Sequence, residues 1–218
     1  MTRPLIITDC DEVLLHMVVP FREWLDEHHA VHFDMRERGF TEALRHKDSG
    51  EPLERALVWK LLIGFFDTEM RRQKPIAGAI DALGRLSRIA DIVVLTNIGE
   101  RHHQKRVEQL AAHGLDLPVH WNGGPKGPAL AAILAERKPA AALFIDDLAE
   151  HHESVADHAP EVWRLHMVGE PEIAADVPAA GFAHARIDDW AAAEAWISAR
   201  LNEGPAPSDF PLSHGAPA

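Results

Sequence analysis

Five short apolar runs punctuate the chain: Pro4–Thr8, Asp91–Thr96, Pro118–Trp121, Ala142–Asp146 and Val162–Val168. They are rich in β-branched or aromatic residues and lack the alternation of a sheet with one wet face. That is the pattern of strands covered on both sides. Between them, apolar residues recur at helical spacing. Ile80, Leu83 and Leu86 predict a helix over Ile76–Ile89. Val107, Leu110 and Ala111 predict another over Glu100–His113, closed by Gly114 as a C-terminal cap. Leu130, Ile133 and Leu134 mark Pro128–Arg137, with Pro139 beyond it. Trp190, Ala193 and Ile197 mark Asp188–Leu201, whose two leading aspartates suit an N-cap. Strands alternating with helices imply right-handed crossovers and an α/β fold, a three-layer Rossmann-like core on a parallel sheet.

One interval breaks the rhythm. The first strand ends near Thr8 and the next begins near Asp91, far more chain than one crossover helix needs. Residues 16–74 therefore form an insert, with helical patterns at Phe21–His28 and Pro52–Arg72, read as a small helical cap. The core is expected at 1–15 and 75–202. Residues 203–218, rich in Pro, Gly, Ser and Ala, read as a flexible tail.

Charge and cysteine narrow the classes. With 22 Lys and Arg against 34 Asp and Glu, the net charge is −12, which argues against nucleic acid or an anionic membrane as the main partner. The insert carries 10 of those 22 cations and 11 of the 34 anions, so it is the relatively basic part. Cys10 is the sole cysteine, so neither an internal disulfide nor a cysteine-based zinc site can form. No apolar run is long enough to span a bilayer, and no secretory pattern opens MTRPLIITDCDE; a cytoplasmic protein is expected. Oligomeric state is not encoded in these patterns.

Ligands of parallel α/β sheets bind beyond the carboxyl ends of the strands. The first strand delivers Asp9 and Asp11 there, the second Thr96 and Asn97, and the fourth Asp146 and Asp147. The loop NGGPKGP presents Lys126. Four carboxylates, a hydroxyl and an ammonium on one rim need an offsetting charge. An all-oxygen set suits a hard divalent cation such as Mg2+. Cation plus lysine make a pocket for a phosphoryl group, which a free carboxylate can attack.

Four motifs in order resemble the haloacid dehalogenase-like (HAD) superfamily, mostly Mg2+-dependent phosphatases. They are Asp9-Cys10-Asp11-Glu12-Val13, the run VVLTN ending on Thr96, Lys126 in PKGPAL, and Asp146-Asp147 in LFIDD. The resemblance covers residues 4–15 and 91–168. It implies that Asp9 is the nucleophile, forming an aspartyl-phosphate, and that Asp11 protonates the leaving oxygen and then activates water. It also implies that Thr96 binds the phosphoryl oxygens and that Lys126 holds Asp9 and phosphate together. Asn97 is a further candidate substrate contact. The expected metal set is Asp9, Asp11 through its backbone carbonyl, Asp146 and Asp147, with Asp147 favoured as the direct ligand. The expected partner is a small phosphorylated metabolite, and the insert's position matches caps that close over small substrates. Glu12 departs from the pattern, because many relatives have a small residue there.

Other readings are weaker. A dehalogenase has no use for Asp11, and a receiver domain carries its acidic pair first. Neither GxxxxGK[ST] nor GxGxxG is present. A phosphotransferase or mutase uses the same residues, and a non-catalytic module would usually have lost Asp9 or Asp11. Among the 15 histidines, His28 and His32 stand four apart on a possible helix and His151-His152 follow the acidic pair, but no HExxH fixes a metal site. His16 or His151 near the rim are possible substrate contacts. Arg36, Arg38, Arg45, Lys47 and Arg55 are cations for a charged substrate tail or a solvated face. Trp59, Phe65 and Phe66 are read as core.

Overall fold

The computed structural model describes residues 2–34, 40 and 42–207. Arg36 and Arg38, and the tail from 208 onward, lie outside the described residues.

Six parallel strands form the central sheet: β1 (Leu5–Thr8), β4 (Asp91–Thr96), β5 (Val119–Trp121), β6 (Ala142–Asp146), β7 (Trp163–His166) and β8 (Ala185–Arg186). Their order is β5-β4-β1-β6-β7-β8, with β1 paired parallel to both β4 and β6. The chain runs outward from β1 through β4 and β5, then returns to β6 on β1's other side. The switch point for ligands thus lies at the end of β1. Side chains alternate between the sheet's two faces. Ile6, Leu143 and Ile145 join one apolar layer with α3 (Ala79–Leu86), α4 (His103–Ala112) and α8 (Trp190–Glu203). Leu5, Ile7, Val93 and Phe144 join the opposite layer with α5 (Gly127–Arg137) and α6 (Ala149–His158). Asp189 caps α8 by accepting from the Ala192 N–H at 2.9 Å.

The insert folds around its own apolar cluster. It contains α1 (Val18–His28), a two-stranded antiparallel pair of β2 (Val31–Phe33) and β3 (Leu44–His46), α2 (Arg55–Thr68) and a 3₁₀ turn at Met70–Arg72. The sequence pattern anticipates both helices but not the hairpin, so the cap is not purely helical. Phe21 is its centre, with Phe33 and Phe65 rings edge-on at 5.8 and 5.3 Å. Phe65 and Phe66 are buried, but Trp59 is 45% exposed, against the expectation of a core position. His28 ends α1 while His32 lies on β2, so the pair shares no helix. Ile98, Val168 and Ile173 from the core close the lower edge of this cluster. Asp67 at the end of α2 adds a polar tie, accepting from Arg101 at 2.7 Å and from His102 at 2.6 Å.

Candidate active site

β1 runs directly into Asp9, whose position is fixed by the Thr8 hydroxyl donating to the Asp9 carbonyl at 2.9 Å. Lys126, the residue before α5, reaches under the sheet's rim and is almost fully buried. Its Nζ lies 2.7 Å from Asp9 Oδ1 and 2.6 Å from Asp146 Oδ2. Gly127 makes that approach possible. A β-carbon there would overlap the Ser154 carbonyl, so α5 can start this close to α6 only with glycine. Burial works against the Lys126 charge, but Asp146 and Asp9 outweigh it and hold the ammonium above its ordinary range.

Asp146 spends both oxygens inside the protein, Oδ2 on Lys126 and Oδ1 on the Leu148 N–H at 2.9 Å. Burial raises its carboxyl, but Lys126, then His151 and His152, bring it below the usual value. Asp147 differs. Among the described residues it makes no ion pair, and burial with Asp146, Asp9 and Glu12 nearby pushes its carboxyl well up. Burial likewise raises Asp9 to about 7, with Lys126 opposing and Asp146 and Asp11 adding to the rise. One oxygen each of Asp9, Asp146 and Asp147 lies within 4.8 Å of the others. Two histidines hold the backbone of the acidic pair in place: His152 meets the Asp146 carbonyl at 3.0 Å and His166 the Asp147 carbonyl at 2.8 Å. Thr96 is fully buried at the end of β4, and its hydroxyl has no partner among the described residues. A lone buried hydroxyl beside such a cluster is a vacant donor for an anionic oxygen.

The rim thus gathers three of the four expected carboxylates. The Asp11 carboxylate stands apart, clasped by Arg106 Nη2 at 2.9 and 3.0 Å and by Gln73 Nε2 at 2.6 Å. The acid–base role that the resemblance assigns to this carboxyl would require these bonds to loosen. Arg106 is fully buried and also donates to Cys10 Sγ at 3.1 Å. Asn97 is tied into the Lys126 loop rather than left free. It donates to the Gly124 carbonyl at 2.9 Å, and its Oδ1 accepts from Asn122 at 2.9 Å. His151 is buried and contacts Asn97 at 3.2 Å, while His16 pairs with Glu170. Glu12 Oε1 accepts the Met17 and Val18 N–H groups at the start of α1.

No family model and no curated protein matches the chain. Solved structures do. A haloacid dehalogenase-like family hydrolase from Streptococcus pneumoniae superposes with a TM-score of 0.65 at 14% identity, covering 90% of this chain and 98% of that one. A magnesium-bound HAD-hydrolase from Bacillus subtilis, described as revealing interdomain movement, gives 0.63 at 13% identity, with 90% and 99% covered. A structure from Haemophilus somnus described as a predicted phosphoglycolate phosphatase gives 0.59 at 15% identity, with 88% and 97% covered. The chain has the haloacid dehalogenase-like fold. Within this HAD-like frame, reading the sequence alone missed Arg106, Gln73 and His166. On α4, Arg106 reads as one more solvated helix cation, and nothing local marks it as buried. His166 sits inside the apolar run VWRLHMV, and that is the one available signal, since a histidine within a buried strand must find a partner.

Proposed function

We propose that this chain is a Mg2+-dependent phosphatase that hydrolyses a small phosphate monoester through an aspartyl-phosphate on Asp9. One observation carries the reading: a single buried lysine serves two carboxylates, Asp9 and Asp146, while a third, Asp147, lies within 4.8 Å with no cation of its own. The negative excess and the all-oxygen donors fit a hard divalent ion. Asp147 and Asp9 would hold it with the Asp11 carbonyl, and Asp146, its oxygens already engaged, would act through Lys126. Bound Mg2+ supplies positive charge that offsets these carboxylates and the phosphoryl oxygens.

The chain's own groups do the rest. Lys126 favours the anionic form of Asp9 and aligns it. Asp9 attacks phosphorus as the bond to the leaving oxygen breaks, and Asp11 gives that oxygen a proton. Asp11 then takes a proton from water, which attacks phosphorus as the bond to Asp9 breaks, releasing phosphate and returning Asp9 to its carboxylate and Asp11 to its protonated form. Thr96 donates to a phosphoryl oxygen throughout. Both Asp11 oxygens are occupied by Arg106 and Gln73. Proton transfer therefore requires the clasp to loosen, and Gln73, on the return from the insert, joins that event to movement of the cap. The fully buried Cys10 beside this clasp suits the cytoplasm.

The test is phosphate release from an aryl phosphate by the purified chain. Release is expected only with Mg2+, and as free phosphate rather than on an added hydroxyl acceptor. Asp9→Asn should lower turnover by about 10⁴-fold with an unchanged circular dichroism spectrum. Wild-type rates in that variant would remove Asp9 as nucleophile.

A further inference from the structure

The linker that leaves the core for the insert and the loop after β7 together carry a second group of metal-type donors, none shared with the rim. Glu12 is 2% exposed and adopts a left-handed backbone, φ 59°. Its Oε1 accepts the Met17 and Val18 N–H groups at 2.7 and 2.6 Å. Its Oε2 is buried without a partner among the described residues. His16 Nδ1 lies 2.8 Å from Glu170 Oε2, and Glu170 is 6% exposed. One donor atom each of Glu12, His16 and Glu170 falls within 4.8 Å of the other two.

We propose that Glu12, His16 and Glu170 form a second metal site, selective for a divalent cation of borderline softness such as Zn2+. Two carboxylates and an imidazole are a mixed oxygen and nitrogen set, better suited to Zn2+ than to Mg2+. Three protein donors leave a fourth position. His16 and Glu170 line an open groove of about 280 Å³ with Val19, Glu23 and Lys74, so that position is reachable by water or a small anion. The cation takes the place of the proton that joins His16 to Glu170 and supplies the partner that Glu12 Oε2 lacks. It also ties the first linker to the loop after β7. That contact is already close, with the Gly169 N–H 2.6 Å from the Glu12 carbonyl. A β-carbon on Gly169 would come within 2.9 Å of the same oxygen.

The site stands independently of the phosphatase reading. Zn2+ is titrated calorimetrically into the chelator-stripped full chain under saturating Mg2+. One equivalent should bind and raise the melting temperature. His16→Ala and Glu170→Gln should each weaken binding at least tenfold, whereas Asp147→Asn should retain it. Co2+ in the same site should show visible absorption that His16→Ala abolishes. Glu12 caps α1 and is left unchanged so that every variant folds. The proposal is overturned if Zn2+ fails to bind alongside Mg2+, or if binding survives both His16→Ala and Glu170→Gln. Loss in Asp147→Asn alone would likewise overturn it, by assigning the ion to the rim.

Discussion

The two helix layers each send one buried cation to the same turn after β1, and they treat their carboxylates differently. From one layer, Lys126 meets both Asp9 and Asp146. From the other, Arg106 meets Asp11 alone, at two oxygens, and adds a bond to Cys10. An ammonium is a compact charge that several anions can share, whereas a guanidinium is a fork that matches one carboxylate. The Arg106 side is therefore balanced one to one. The Lys126 side, with Asp147 close by, stays short of positive charge. The charge deficit that a Mg2+ ion would offset thus lies on the Lys126 side of a turn that is acidic on both.

Substitutions on the two sides should not behave alike. The largest effect is expected from Lys126→Met, which leaves Asp9 and Asp146 buried without a cation. Stability should fall by about 3–5 kcal/mol in urea unfolding without metal, with Mg2+ restoring part of it, and turnover should fall at least ~10³-fold. Arg106→Met should cost less, about 1–3 kcal/mol, because the Asp11 side chain is 16% exposed and water can replace a donor. Its loss should be insensitive to Mg2+. Equal Mg2+ rescue of the two variants would erase the contrast.

A smaller effect separates Asp9 from its neighbours. Its carboxyl rises from 3.8 to about 7 on folding. The stability that this contributes is full below about pH 4 and is lost as pH climbs through about 7. Without metal, Asp9→Asn should therefore gain on the wild type between pH 4 and 7 in paired urea titrations. A constant difference across that window would mean that Asp9 is already ionised at low pH.

Much of this was legible in the residues. The runs Asp91–Thr96 and Ala142–Asp146 are strands with those bounds, because an apolar stretch without alternation has few other places to go. Their ends deliver Thr96 and the acidic pair to the rim for the same reason. The α6 segment AEHHESVADH shows too little apolar spacing to be read as a helix, because its buried face is partly histidine and serine. β2 and β3 have three residues each, too few for a periodic signal. The clasp on Asp11 was invisible for a different reason. Gln73 and Arg106 lie 62 and 95 positions away, and a side chain's burial at that range is decided by packing rather than by its neighbours in sequence.

Cys10 stands between Asp9 and Asp11 with none of its surface accessible. As the chain's sole thiol, it is a built-in clock for this turn. A labelling reagent can reach its sulfur only through a transient local opening, so the alkylation rate reads how often the nucleophile's own loop breathes.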